Sequence, residues 1–204
     1  MNPQELRAKC IELLCQARDG HPGSVMSLVE VVASLDPAHR LVISEGHAGM
    51  VIYPLLHERG LITDEQLRDF RKPGALLTMF PHKGIPGVLC SCGSLGQGLG
   101  YACGLAMADP SPITCIISEG ELYEGSTWES LMFARHYRLN NLRVIVNKND
   151  AITLGKPSEC LDLPWKALYE FPQVSVIQTV KGKGVPAWEG KISSHYWSDP
   201  YAAA

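Results

Sequence analysis

Residues 113–150 read ITCIISEGELYEGSTWESLMFARHYRLNNLRVIVNKND, and this stretch decides the fold. Ile113–Ile117 is a short apolar run of the buried-strand type, and Leu142–Val146 is a second. Trp128–Tyr137 between them reads as a helix. A strand–helix–strand unit of this length brings its two strands side by side and parallel. Each strand ends in an oxygen-rich cluster: Ser118-Glu119-Gly120-Glu121 after the first and Asn147-Lys148-Asn149-Asp150 after the second. Ligands of open parallel sheets bind beyond the carboxyl ends of the strands, so the fold brings Glu119 and Asn149 to one crevice.

Outward from this unit, Leu41–Ile43 and Val174–Val180 read as further strands. Residues 3–18 form a helix on the spacing of Leu6, Cys10, Leu13, Leu14 and Ala17, and Ser24–Leu35 is a second helix opening after His-Pro-Gly. His47–His57 reads as helical, Thr63-Asp-Glu-Gln is a capping-box start, Leu95–Ala108 is a glycine-dotted helix built for close packing, and Leu163–Tyr169 is a short helix. The expectation is an α/β fold: three layers, a mostly parallel sheet flanked by helices, in a single domain spanning residues 1–204.

Composition bounds the function. The chain has 204 residues, 46% hydrophobic and 19% charged, with 18 Lys plus Arg against 21 Asp plus Glu. That is globular composition, without the basic runs of a nucleic-acid groove. No stretch approaches the ~18–20 apolar residues of a membrane span. The amino-terminal residues MNPQELRAKCIELL lack the apolar core of a signal peptide. The seven cysteines include a Cys90-Ser91-Cys92 pair but no second pair at zinc-binding spacing. A cytoplasmic protein with reduced thiols is expected.

Glu119 with Asn149, together with a nearby backbone carbonyl, offers the hard oxygen ligands that hold Mg²⁺ or Ca²⁺ against a phosphate. Acidic residues at strand ends also act as helix caps, and the residues alone leave both readings open. Gly120 lets a diphosphate approach the backbone closely. His21 in Gly-His-Pro-Gly and His47 in Glu-Gly-His-Ala-Gly lie in glycine-flanked turns, with His82 and His195 near other glycine-rich loops. A histidine in a turn is commonly structural; several in such loops point to an anionic or hydroxylated ligand.

Five blocks, GHPGSVMSLVEVVASL, SEGHAGMVIYPLLHERG, GSLGQGLGYACGLAMA, SEGELYEGSTWESLMFARHYRLNNLRVIVNKND and VKGKGV, resemble in this order the amino-terminal half of transketolase, most closely its split form. The resemblance implies the thiamine diphosphate-binding fold and thiamine diphosphate with Mg²⁺ (or Ca²⁺ or Mn²⁺) as cofactors. It implies Glu119, Asn149 and the Ala151 carbonyl as metal ligands. Gly93, Ser94, Leu95, Gly120, Glu121, Asn149, His47 and His195 would hold the cofactor. His21, His47 and His195 would serve catalysis, and Glu124 with Glu129 would lie at the subunit contact and link cofactors by shared protons; in the plain reading that glutamate pair is a solvated helix start.

The chain departs from the family pattern at several points. Ser118-Glu119-Gly120 stands for Gly-Asp-Gly. The 35–41 link is shorter, and the 155–174 segment is shorter by what amounts to a strand–helix unit. Phe-Pro-His-Lys-Gly around His82 does not align uniquely, which leaves His82 without a role, and Ser-His-Tyr-Trp replaces His-Gly at His195. The family's other half carries the ligands of the cofactor's ring end. The implied protein is therefore one subunit of a split enzyme. It would transfer a two-carbon ketol unit between sugars or sugar phosphates, in an α2β2 assembly with a carboxyl-terminal companion subunit. Another thiamine-dependent acyloin or decarboxylase reaction, or a non-catalytic homologue, are the alternatives.

Overall fold

A computed structural model describes residues 1–36 and 39–201. Four strands, β1 (Arg40–Ile43), β2 (Ile113–Ser118), β3 (Leu142–Lys148) and β4 (Val174–Gln178), form a parallel sheet in the order β1-β2-β3-β4. The register aligns Ile43 with Ile116, Ile116 with Ile145, and Ser118 with Asn147. Alternate side chains feed two cores. Ile43, Ile116 and Ile145 face one core; Val42, Cys115, Ile117, Val144 and Val146 face the other. The expected three-layer α/β arrangement is what the chain forms.

On the first face lie α1 (Pro3–Ala17) and α2 (Pro22–Ala33). Helix α1 starts at a capping box in which Asn2 accepts from the Glu5 amide at 2.9 Å and Glu5 accepts from the Asn2 amide at 3.1 Å. Helix α2 is apolar almost all round and is buried accordingly, with only Glu30 and Ala33 reaching toward solvent. The 46–57 stretch does not form one helix. Gly46–Ile52 is a 3₁₀ turn, and Pro54, which has no N–H to continue a helix, sits in the first turn of α3 (Tyr53–Glu58). Helix α4 (Asp64–Arg68) follows the Thr63 capping box.

The second face carries α5 (Gln97–Ala108) and α6 (Gly125–His136), which pack together. Between β3 and β4 the chain makes only two short helices, α7 (Pro157–Cys160) and α8 (Trp165–Leu168). The 181–195 segment returns across the sheet, and the Gly182 amide donates to the Gly23 carbonyl at the start of α2 at 2.9 Å. Pro37 and Ala38 of the short 35–41 link, and the terminal alanines 202–204, lie outside the described residues. No helix among the described residues is long and apolar enough to cross a membrane.

Two glycines separate packing from propensity. A Cβ on Gly46 would fall on the Cys92 carbonyl, a backbone group that cannot swing aside. Gly104, in α5, has no atom within 4 Å of a built Cβ. Gly46→Ala is expected to cost about 1–3 kcal/mol, and Gly104→Ala to add about 0.4–1 kcal/mol. Denaturant melts of the two variants check both signs.

Candidate cofactor cleft

The four strands end on one side of the sheet, and the segments following them build one cleft of about 200 Å³. Its lining includes Glu45 and His47 after β1, Glu119 and Gly120 after β2, Asn149 and Ala151 after β3, and Lys181 and His195 after β4. His21 and Ser24 enter from the start of α2, and Phe80, Gly93 and Leu95 close the edge.

Three imidazoles form the upper wall. His21 stands 5.2 Å from His47 and 5.0 Å from His195, and His47 stands 5.7 Å from His195, measured between ring centres. His47 Nε2 pairs with Ser24 Oγ at 3.2 Å and His195 Nε2 with Thr153 Oγ1 at 3.0 Å. Nδ1 of both His21 and His195 is buried with no partner. Burial pushes all three histidines toward the neutral form. His47 drops to about 3, with the two other imidazoles and Lys181 adding to the shift, and His195 drops to about 4, with Lys181 and His21 adding.

The floor is made of oxygens. Glu119 is 2% exposed, and its Oε2 accepts from the Asp150 amide at 2.9 Å. Burial raises its pKa. Asn149 Oδ1 accepts from the Ala151 amide at 3.2 Å, and the Ala151 carbonyl accepts from Lys181 Nζ at 3.2 Å. Lys181 is itself 2% exposed; burial lowers its pKa to about 8, against the pull of Glu45 and Glu119. Glu45 is buried, bonded to Asn147 Nδ2 at 3.1 Å, and its pKa is raised by burial and by the nearby Glu121.

The residue set meets two tests for a diphosphate and its cation. A Cβ at Gly120 would meet no atom closer than 3.6 Å, so the chain's own packing does not ask for glycine there. Glu119, Asn149 and Ala151 present only oxygen, each with a lone pair beyond the bond it already accepts, as a hard cation requires.

The structure thus brings His21, His47, His195, Gly93, Leu95, Glu119, Gly120, Asn149 and Ala151 into one cleft. Five other residues singled out in the sequence lie outside its lining. Glu121 turns into the protein: its Oε1 accepts from Ser44 Oγ and from the Gly96 amide at 3.0 Å, and its Oε2 from the Ser118 amide at 2.8 Å. Both oxygens are engaged, which corrects its assignment as a direct cofactor ligand. Ser94 is exposed in the turn before α5. Glu124 caps α6 with its backbone and is exposed, as is Glu129. His82 is a loop staple, bonded to the Leu76 carbonyl at 3.0 Å and the Gly84 amide at 3.1 Å. Ser24, Glu45, Thr153 and Lys181 were not singled out. For Lys181 the signal was available, because VKGKGV puts a lysine at a glycine-rich strand end.

This cleft on this fold has known counterparts. The family described as "Transketolase, thiamine diphosphate binding domain" matches residues 3–194. Transketolase of Campylobacter jejuni superposes with a TM-score of 0.83 at 25% identity, over 96% of this chain and 39% of that one. Mouse transketolase-like protein 2 is 31% identical over 242 aligned positions, covering 91% of this chain and 39% of that protein. The 6-deoxy-6-sulfo-D-fructose transketolase subunit SqwG of Clostridium sp. (strain MSTE9) is 30% identical, over 93% of this chain and 87% of that subunit. The chain belongs to the transketolase family and corresponds to its thiamine diphosphate-binding domain. It spans about two fifths of the length of the first relatives it matches. The 242-position alignment exceeds the 204-residue chain, so the mouse relative carries insertions that this chain lacks.

The neutral histidines set a sign for acid sensitivity. Their folded pKa values lie below the ordinary 6.5, so the unfolded chain binds the additional protons. Their share of stability is complete above pH 6.5 and is lost as pH falls toward 4 and then 3. The raised carboxylates Glu45, Glu119 and Glu121 act in the opposite sense. His47→Asn is expected to soften the fall of the urea midpoint between pH 7 and pH 5 relative to the parent chain; an unchanged slope counts against the neutral, buried imidazole.

Proposed function

We propose that this chain is the diphosphate-binding subunit of a split, thiamine diphosphate-dependent transketolase-like enzyme that moves a two-carbon ketol unit between sugars or sugar phosphates. The observation that carries the reading is the pair of buried, unpartnered imidazole nitrogens on His21 and His195, two residues that line the same cleft as Glu119, Asn149 and Ala151. The family supplies the ligand that such a cleft would take. Thiamine diphosphate, when bound, provides a nucleophilic thiazolium carbon that accepts and hands on the two-carbon unit.

The chain's own residues do the rest. Glu119, Asn149 and the Ala151 carbonyl would hold Mg²⁺, which would neutralise the diphosphate. Lys181 and His47 would serve its phosphate end, and Gly120 would leave room for it. His21 and His195, neutral at pH 7, offer Nδ1 to donor-sugar hydroxyls or take a proton from them. Glu121 acts at one remove, by fixing the turns that carry Gly93, Leu95 and Gly120.

The subunit reading rests on two supports. The relative covered over 87% of its length is itself named a subunit. On the α5–α6 side, Tyr101, Met107, Met132, Phe133 and Tyr137 are all exposed, beside Glu129. We read these exposed side chains as an interaction face. A carboxyl-terminal companion seated there, in an α2β2 assembly, would cover it and bring the groups that activate the ring end of the cofactor.

Three experiments test the reading. Glu119→Ala and Asn149→Ala should each weaken Mg²⁺-dependent thiamine diphosphate binding by roughly tenfold or more in calorimetry, since each removes an oxygen from a near-octahedral demand. Unchanged Mg²⁺ dependence in both variants would sink the metal assignment. The purified chain should show no ketol transfer until mixed with its companion, when light scattering should report a heterotetramer. Ketose phosphates, a 6-sulfo ketose and 2-oxo acids, assayed side by side, separate ketol transfer from decarboxylase or acyloin chemistry. Ketol transfer by the chain alone would overturn the split arrangement.

A further inference from the structure

The Cys90-Ser91-Cys92 motif stands outside the machinery described so far, yet it abuts it. The two sulfur atoms are 3.1 Å apart. The residues are 7% and 8% exposed, while Ser91 between them is on the surface. The motif runs directly into Gly93 and Leu95, which line the cleft, and the Cys92 carbonyl packs on Gly46 at the entry to the His47 turn. Every cysteine is free, and among the described residues no group of three or more His, Cys, Asp or Glu is arranged to hold a metal. The pair is therefore equipped for two-thiol chemistry rather than zinc.

We propose that Cys90 and Cys92 are a redox modification site that takes a small peroxide-class oxidant, closes to a reversible disulfide, and in closing displaces the 93–96 edge of the cleft. The pair is argued from its own geometry and does not rest on the cofactor reading. Either sulfur can be the donor across the 3.1 Å contact and either can attack first; the steps are written for Cys90.

The Cys90 thiolate attacks one peroxide oxygen and the O–O bond breaks. Cys90 becomes a sulfenic acid, and the departing hydroxide takes a proton to leave as water. The Cys92 sulfur, giving up its proton, then attacks the Cys90 sulfur. The S–O bond breaks, the S–S bond forms, and the hydroxyl leaves with that proton as a second water. Two thiols lose two electrons and one peroxide gains them. A dithiol reductant reverses the step by two exchanges.

To reach bonding distance the sulfurs must approach by about an ångström. Cys92 cannot take up that movement toward Gly46, because the two backbones already touch. The adjustment falls on the segment ahead, where the Gly96 amide is bonded to Glu121 at 3.0 Å.

The test uses the full chain. After treatment of the reduced protein with hydrogen peroxide and alkylation of free thiols, chymotrypsin cleavage after Leu89 and Leu95 releases a peptide that holds both cysteines. The expected peptide is unalkylated, lighter than the dithiol form by two hydrogens, and alkylated at both positions once dithiothreitol is added. Hydrogen exchange of residues 93–97 should be several-fold faster in the oxidised protein, with β4 unchanged. Cys90→Ser, its fold checked by circular dichroism, should give no unalkylated, dithiothreitol-reversible peptide at the same peroxide dose. Over-oxidation of one cysteine beside a free partner, a disulfide to Cys103 or Cys115, or unchanged exchange at 93–97 would each overturn the proposal.

Discussion

One buried carboxylate holds the functional end of this molecule together. Glu121 is fully buried and accepts from Ser44 at the end of β1, from Ser118 at the end of β2, and from Gly96 in the turn before α5. Burying a carboxylate costs several kcal/mol unless donors surround it, and here they come from three segments distant in sequence. Burial raises the Glu121 pKa while these donors oppose the rise. The same bonds hold the Glu45–His47 and Glu119–Gly120 segments where they leave β1 and β2, and the Gly93–Leu95 turn ahead of α5. The wall, the floor and the edge of the cleft share this single anchor.

Above the anchor, electrostatics is arranged by removing charge. Three imidazoles within ring contact of one another, under the field of the buried Lys181, cannot all be cationic, and burial keeps them neutral. The positive charge that remains in the lining is concentrated on Lys181, which rests on the Ala151 carbonyl with Glu45 and Glu119 facing it. A neutral wall of donors and acceptors over a charged floor is well matched to a ligand whose anionic end is at the bottom and whose hydroxyls are at the top. It asks little of solvent, since most of the polar atoms are already oriented.

The sheet was legible in the sequence because its strands are short apolar runs ending in conspicuous polar clusters. The same logic brings Glu119 and Asn149 together at neighbouring strand ends, whereas His21 and His47 stand out by their glycine-flanked turns. Where the reading failed, the cause was local direction. The resemblance implies Glu121 as a cofactor ligand, but the 3₁₀ turn at Glu119–Tyr123 sends it inward. The apolar spacing over 47–57 fits one helix, and Pro54 divides it. Ser24 could not be found at all, since it lies on a helix whose every face is buried, and its meaning depends on His47, which the chain brings to it from 23 residues away. Lys181 was visible in VKGKGV, but nothing in the sequence states that β4 ends beside Ala151.

The strand order has a consequence for synthesis. Each strand pairs with the one made just before it, so the sheet can be laid down as the nascent chain lengthens. The cleft cannot. Lys181 and His195 follow β4 in the chain, and both must dock against segments made earlier, Lys181 on the Ala151 carbonyl and His195 beside Thr153. A growing polypeptide can therefore hold its four strands while it still lacks a complete cleft. Assembly of the cleft is a separate and later event than the laying down of the sheet.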